Sequence, residues 1–187
     1  MTRRQRLVAL VCVGWLLAIG LAAPVAAFQV ERASTQLIDG TYWLDAFIDF
    51  RFTDQALEAL ENGVPLTIAL HTRIRRKGAR IWEESLFDQA IHYTIRYKPL
   101  SERYSVEPPA GGEVRSFVTR DAALRALGTV SRLRLISNER LDPDSRYQFH
   151  LRVSLDIDAL PLPLRPMAYL RPSWRLHSGW SKWPLEP

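Results

Sequence analysis

Cysteine is almost missing: Cys12 is the only one in 187 residues, and it sits inside an apolar N-terminal run. Beyond that run the chain has no disulfide, thiol nucleophile or cysteine metal site to offer. Glycine is sparse, at 9 residues, and no Gly-x-Ser-x-Gly elbow, phosphate-cradling glycine loop or dinucleotide fingerprint occurs. The four histidines, His71, His92, His150 and His177, stand 21, 58 and 27 residues apart, with no second ligand at metal-site spacing. An excess of one charge is lacking as well, since 25 Lys+Arg face 20 Asp+Glu for a net +5, too balanced for a dedicated nucleic-acid binder. These absences predict no metal, no cofactor, no nucleic-acid partner and no catalytic residues of a familiar type. What is there, 47% hydrophobic and 24% charged residues, is the composition of an ordinary folded protein.

The first 27 residues read as an export signal. Thr2 to Arg6 are basic and polar, Leu7 to Ala23 are an apolar run, Pro24 breaks any helix, and Val25-Ala26-Ala27 ends on small residues. The run is short of the roughly 20 residues that span a bilayer comfortably. Cleavage is expected between Ala27 and Phe28, with an uncleaved membrane anchor as the alternative. Cys12 lies within the run rather than at its end, where a lipid-attachment cysteine would sit. Taking the leader away removes Arg3, Arg4 and Arg6 and leaves 160 residues with 22 basic and 20 acidic groups. That length is enough for one domain, residues 28–187, with a core that needs no staples.

Period-2 alternation dominates this domain. Tyr42, Leu44, Ala46, Ile48, Phe50 and Phe52 alternate with Trp43, Asp45, Phe47, Asp49 and Arg51. Val64, Leu66, Ile68, Leu70 and Ile74 repeat the pattern, and a turn at Lys77-Gly78 leads on to Ile81 and Trp82. Phe87, Ile91, Tyr93, Ile95 and Tyr97 form another apolar face, and the clearest strand runs from Tyr147 to Asp158. Shorter strands are expected at Phe28–Ile38, Arg103–Glu107, Val114–Val118 and Arg132–Ser137, and Pro108, Pro109, Gly111 and Gly112 mark a loop.

Two segments, Thr53–Asn62 and Thr119–Leu127, carry apolar residues at helical spacing, each after a capping Thr and before a stop at Gly63 or Gly128. With an offset of 67, Asp54, Ala56, Leu57, Ala59 and Leu60 match Asp121, Ala123, Leu124, Ala126 and Leu127. Two amphipathic helices solving one packing problem explain this better than an internal repeat does. The fold class expected is mainly β: an antiparallel β-sandwich with two short helical connections. Leu160 to Pro166 predicts an extended polyproline-like path, and Trp174, Trp180 and Trp183 crowd the tail after it, a strap whose indoles would lie across the sandwich.

In combination these pieces carry a resemblance. Phe50-Arg51-Phe52-Thr53 with Ala56 to Leu66, Tyr97-Lys98-Pro99-Leu100 with Arg103-Tyr104, Phe117 with Ala123 to Gly128, Leu155-Asp156 with Leu160-Pro161, and Trp174 to Trp183 resemble the bacterial family called domain of unknown function 4390. The likeness covers about Phe28 to Trp183 and is weakest from Lys77 to Glu84. It implies an exported bacterial envelope protein, hence the periplasm, whose gene usually neighbours that of a nitrogen-regulation-type sensor histidine kinase. It implies no catalytic residues.

Binding residues can be read from charge and aromatics. Arg73, Arg75, Arg76, Lys77 and Arg80 crowd one strand end, with His71 on the same polar face, and guanidinium forks suit carboxylate or phosphate. His92, Arg96, Arg132, Arg134, His150 and Arg152 would extend a cationic sheet face, unless Asp45, Asp49, Glu83, Glu84 and Asp88 neutralise it as cross-strand pairs. The tail offers Tyr169, Arg171, Trp174, Arg175, Trp180, Lys182 and Trp183 as interface or strap. Asp156 and Asp158 would share one strand face, as two solvated acids or as a cation or proton site. The expectation is therefore a non-catalytic periplasmic protein that binds an envelope protein, in particular a sensor histidine kinase. A carrier or sensor of an anionic lipid or glycan is the alternative, and an enzyme of unrecognised type the third reading.

Overall fold

The computed structural model describes residues 27–80, 83–109 and 112–185. The predicted leader up to Ala26, with Cys12, and the pair Ile81 and Trp82 lie outside the described residues. β1 (Phe28–Ile38) and β2 (Thr41–Phe50) form a hairpin. Its two-residue turn, Asp39-Gly40, has φ of 48° and 72°, the left-handed geometry that matches strand twist in tight hairpins. In α1 (Asp54–Glu61) the Thr53 hydroxyl accepts the Ala56 N–H at 3.4 Å, and Gly63 ends the helix at φ 83°, where only glycine sits without strain. There follow β3 (Leu66–Arg76), β4 (Phe87–Lys98), β5 (Arg103–Glu107), β6 (Arg115–Phe117), α2 (Arg120–Gly128), β7 (Thr129–Ser137), β8 (Tyr147–Leu155), α3 (Arg165–Leu170) and β9 (Ser181–Pro184).

The strands make two antiparallel sheets, β1-β2-β7 and β6-β5-β4-β3-β8-β9. Both turn an apolar face to one shared core, in which Phe28, Leu44, Ile48 and Val130 of the smaller sheet join Ile68, Leu70, Phe149 and Leu151 of the larger. The fold is the expected antiparallel β-sandwich. β2 alternates buried and half-buried along its whole length, as does β8, so period-2 reading succeeds where one face meets the core and the other meets water. In α1 Ala56 and Leu60 are buried, and in α2 the residues 67 positions on, Ala123 and Leu127. The two helices therefore bury matching faces. Arg120 and Glu61 join them at 2.7 Å on the surface.

Strand register defines two ends. Phe28, Phe50, Leu66, Lys98, Phe117 and Leu155 lie at the end where the chain enters, here the leader end. Ile38, Thr41, Arg76, Ser137 and Tyr147 lie at the other, the hairpin end.

Four expectations need correction. The strand ending at Asp158 stops at Leu155, because Asp156 Oδ1 accepts the N–H groups of Asp158 at 3.0 Å and Ala159 at 3.3 Å and folds the chain into a turn. Leu160 to Pro166 is not extended. Leu164 N–H bonds the Pro161 carbonyl at 2.9 Å and α3 starts at Arg165, Pro166 being tolerated in a first turn whose N–H groups have no helical partner. This makes three helices where two were expected. The tail does not cross the sandwich but adds β9 to the edge of the larger sheet. Gly128, finally, is inside α2 rather than beyond its end.

Candidate functional site

On the outer face of the larger sheet, β3, β8 and β9 bring together cations far apart in sequence. Register sets Arg73 between Asp88 and His150, His150 opposite Lys182, and His71 opposite Arg152. Arg73 Nε donates to Asp88 Oδ2 at 2.7 Å, and its guanidinium carbon lies 4.5 Å from the centroid of the Trp180 ring. A carboxylate and an indole face thus hold one guanidinium in place. Arg152 and Lys182 have no carboxylate within ion-pair distance among the described residues. The imidazoles register this field. Burial first, then Lys182, Arg75 and Arg73, hold His150 below its ordinary pKa. For His71, burial is joined by Arg152, Arg73 and His92, against a smaller opposing pull from Asp88.

A depressed histidine pKa means that the unfolded chain takes up protons before the folded one. Stability is therefore expected to fall as pH drops through the unfolded-state value of about 6.5 toward the lower folded-state values. Urea midpoints between pH 8 and 5 measure it, and a His71→Gln, His150→Gln variant should show a flatter profile. A wild-type midpoint that stays level from pH 7 to 5 would mean that both rings titrate as in water.

Toward the leader end the same face sinks into a dish of about 370 Å³ lined by His71, His92, Ser154, Asp156, Asp158 and Tyr169. His71 Nε2 is 3.4 Å from Ser154 Oγ, and His92 Nε2 is 3.5 Å from Asp156 Oδ2. The Tyr169 hydroxyl donates to Asp158 Oδ1, which raises its pKa. Asp156 and Asp158 do not share a strand face, since both lie beyond β8 and one shapes the turn. No group of three or more His, Cys, Asp or Glu is arranged to hold a metal among the described residues.

The residues singled out from sequence divide. Arg73 and Trp180 meet, although one was read as part of a basic hairpin and the other as part of a tail. Arg75 turns into its own hairpin, donating from Nη2 to the carbonyls of Arg80 at 2.6 Å and Glu83 at 2.7 Å. Arg76 reaches Asp142 at 3.6 Å, and Lys77 borders a cleft of about 470 Å³ at the hairpin end with Tyr42 and Tyr147. Trp174 is 3% exposed and belongs to the core, and Trp183 stacks on the core residue Phe149 at 5.2 Å between centroids. Arg132 and Arg134 belong to β7 in the other sheet, as do Asp45 and Asp49 to β2, so neither pair bears on this face. Lys182, read from sequence only as part of the tail, joins this face because the β8–β9 register places it beside His150.

A family profile described as Domain of unknown function (DUF4390) matches residues 25–184. The chain belongs to that family. No curated protein and no solved structure shows significant similarity to it. DUF4390 therefore supplies no chemistry, and the functional argument for this DUF4390 protein rests on its own side chains.

Proposed function

We propose that the protein is an exported, non-catalytic binding protein of the periplasm whose outer sheet face docks an acidic segment of an envelope protein. The observation that supports this reading is the row Arg73, His150 and Lys182 beside Arg152, with Trp180 laid over Arg73 and two of the cations unpaired. Tryptophan and arginine together are favoured in interface centres, and unpaired cations steer an acidic partner. The dish beside His71 and the cleft beside Tyr147 both open to the surface, which suits a surface partner better than the acyl chain of a carried lipid. A sensor histidine kinase, the partner that the family resemblance implies, is the first to test.

Photoreactive residues placed at Arg152 and Lys182 in living cells are expected to capture one dominant protein, and one at Ser34 on the outside of the smaller sheet none. Arg152→Glu with Lys182→Glu should weaken that complex about 30-fold or more, the size of a hot-spot loss of about 2 kcal/mol, and added salt should weaken the wild type similarly in direction. Capture of lipid or glycan from both positions would move the assignment to a carrier or sensor. Turnover of any substrate that vanished with Asp156→Asn would replace it by an enzyme.

A further inference from the structure

We propose that the leader end of the molecule docks on a bilayer surface containing anionic phospholipid, with α3 and its flanking turns entering the headgroup region. Eight large apolar side chains are exposed among the described residues, and six of them, Leu100, Val118, Leu162, Met167, Tyr169 and Leu170, lie at this end. Leu100 and Val118 get there because β4 ends, and β6 ends, at the leader end. The other four follow β8, which leaves the sheet at the same end, and Thr53, at the start of α1, ties this C-terminal segment down by donating to the Ser173 carbonyl at 2.9 Å. Leu100 is 105% exposed and Leu170 82%. Single apolar residues scatter over any surface, but their gathering at one pole marks a place where water is excluded by something else.

Charge says what that is. From Ala159 to Gly179 the sequence carries Arg165, Arg171 and Arg175 and no Asp or Glu. Arg165 Nε bonds the Leu160 carbonyl at 2.6 Å and Arg175 Nη2 the Tyr169 carbonyl at 3.1 Å, which fixes cationic heads among exposed Leu, Met and Tyr. Of the acids at this end, Glu61, Asp158 and Asp156 are taken up by Arg120, Tyr169 and His92, and the exposed Glu58 stands beside Arg171 in one cleft, which leaves Glu102, near Leu100, as an acid that the headgroup contact has to keep in water. Exposed aliphatics and a tyrosine with arginines between them are the composition of a segment that lies at the level of anionic headgroups. The chain's own path points the same way. Phe28 is fully buried at this pole, and only Pro24 to Ala27 separate it from the apolar run Leu7–Ala23, a span of roughly 18 Å at most when extended. Whatever membrane receives or passes that run, the exposed pole is the part of the domain delivered to it. The inference does not depend on the outer-face partner, which lies on another surface, and either can fail alone.

The test uses the full chain with Cys12→Ser and one new cysteine, at Leu100, at Leu170 or at Arg140 of the hairpin end, each labelled with an environment-sensitive dye. Vesicles of phosphatidylethanolamine and phosphatidylglycerol provide the surface. Emission from positions 100 and 170 is expected to shift to the blue and to be quenched by nitroxide-labelled lipid several-fold more than emission from position 140. Leu162→Asp with Leu170→Asp should abolish the quenching at position 100 and leave the melting temperature unchanged, since both side chains are exposed. Equal quenching at 170 and 140 would show a domain merely tethered by its leader and would overturn the proposal. So would equal quenching on phosphatidylcholine alone, which removes the anionic requirement, or a blue shift that grows with protein concentration in the absence of vesicles, which assigns the pole to a second copy of the chain.

Discussion

Truncating Trp174 to alanine is expected to lower stability by about 3–5 kcal/mol, the cost of emptying a large aromatic site in a core, whereas Trp180→Ala costs about 1 kcal/mol or less. The difference follows from where the tail puts each ring. Trp174 is 3% exposed and packs with the core beside α1, and its indole N–H is buried with no acceptor. The ring is thus held there for its volume, at the expense of a stranded donor that costs about 1–3 kcal/mol by itself. Trp174→Phe removes part of that volume together with the stranded N–H, so it should cost much less than the alanine variant. Trp180 instead lies half-exposed over Arg73 on the outer face, and its removal takes away a cation–π contact without opening the core. At roughly 2–4 °C per kcal/mol for a chain of this size, thermal melts should separate Trp174→Ala from Trp180→Ala by roughly 10 °C. Partner capture should show the reverse order. If Trp180→Ala lost as much stability as Trp174→Ala, the tail would be a strap along its whole length and the Arg73–Trp180 pair would be structural.

The division among the tail tryptophans shows what could be read in the sequence. β2 and β8 were legible because each has one face in the core and one in water, and α1 was legible from Thr53, its apolar spacing and Gly63. The end of β8 was not. Ile157 keeps the alternation going past Leu155, and the Asp156 side chain then competes with the sheet for the backbone N–H groups of Asp158 and Ala159. The prolines from Pro161 to Pro166 read as extended because proline excludes helix interiors, yet a first helical turn accepts them. The outer face was half legible. Arg73, His71, His150 and Arg152 could be placed on outward positions of their own strands, but which strands are neighbours is a property of register. Register joins β3 to β8 and β8 to β9, which brings Lys182 and Trp180 to Arg73, while the pairing of β7 with β2 sends Arg132 and Arg134 to the other sheet.

Gly128→Ala is expected to destabilise the protein by about 3 kcal/mol or more, against the sign that helix propensity alone would give. Inside a helix alanine is favoured over glycine by about 1 kcal/mol, and Gly128 is the last residue of α2. A Cβ at this position, however, would lie 2.2 Å from the Ile48 carbonyl oxygen and 3.3 Å from its carbon. Both are backbone atoms of β2, so relief requires α2 or the strand to move rather than a side chain to swing aside. Overpacking that displaces backbone reaches or exceeds the upper part of the usual 1–3 kcal/mol range, which outweighs the propensity gain. Read from sequence, Gly128 was a helix stop like Gly63. The offset of 67 that superposes Ala56 on Ala123 and Leu60 on Leu127 instead sets Gly128 against Glu61, so the two glycines do different things: one accepts φ 83°, and the other lets a helix touch a strand's main chain. Denaturant midpoints of Gly128→Ala beside Gly179→Ala, where an added Cβ meets nothing within 4 Å, make the comparison, the second variant being expected to stay within about 0.5 kcal/mol of the wild type. A Gly128→Ala protein as stable as the wild type would mean that α2 slides on β2 at little cost, and the close seat of that helix against Ile48 would then have to be given up.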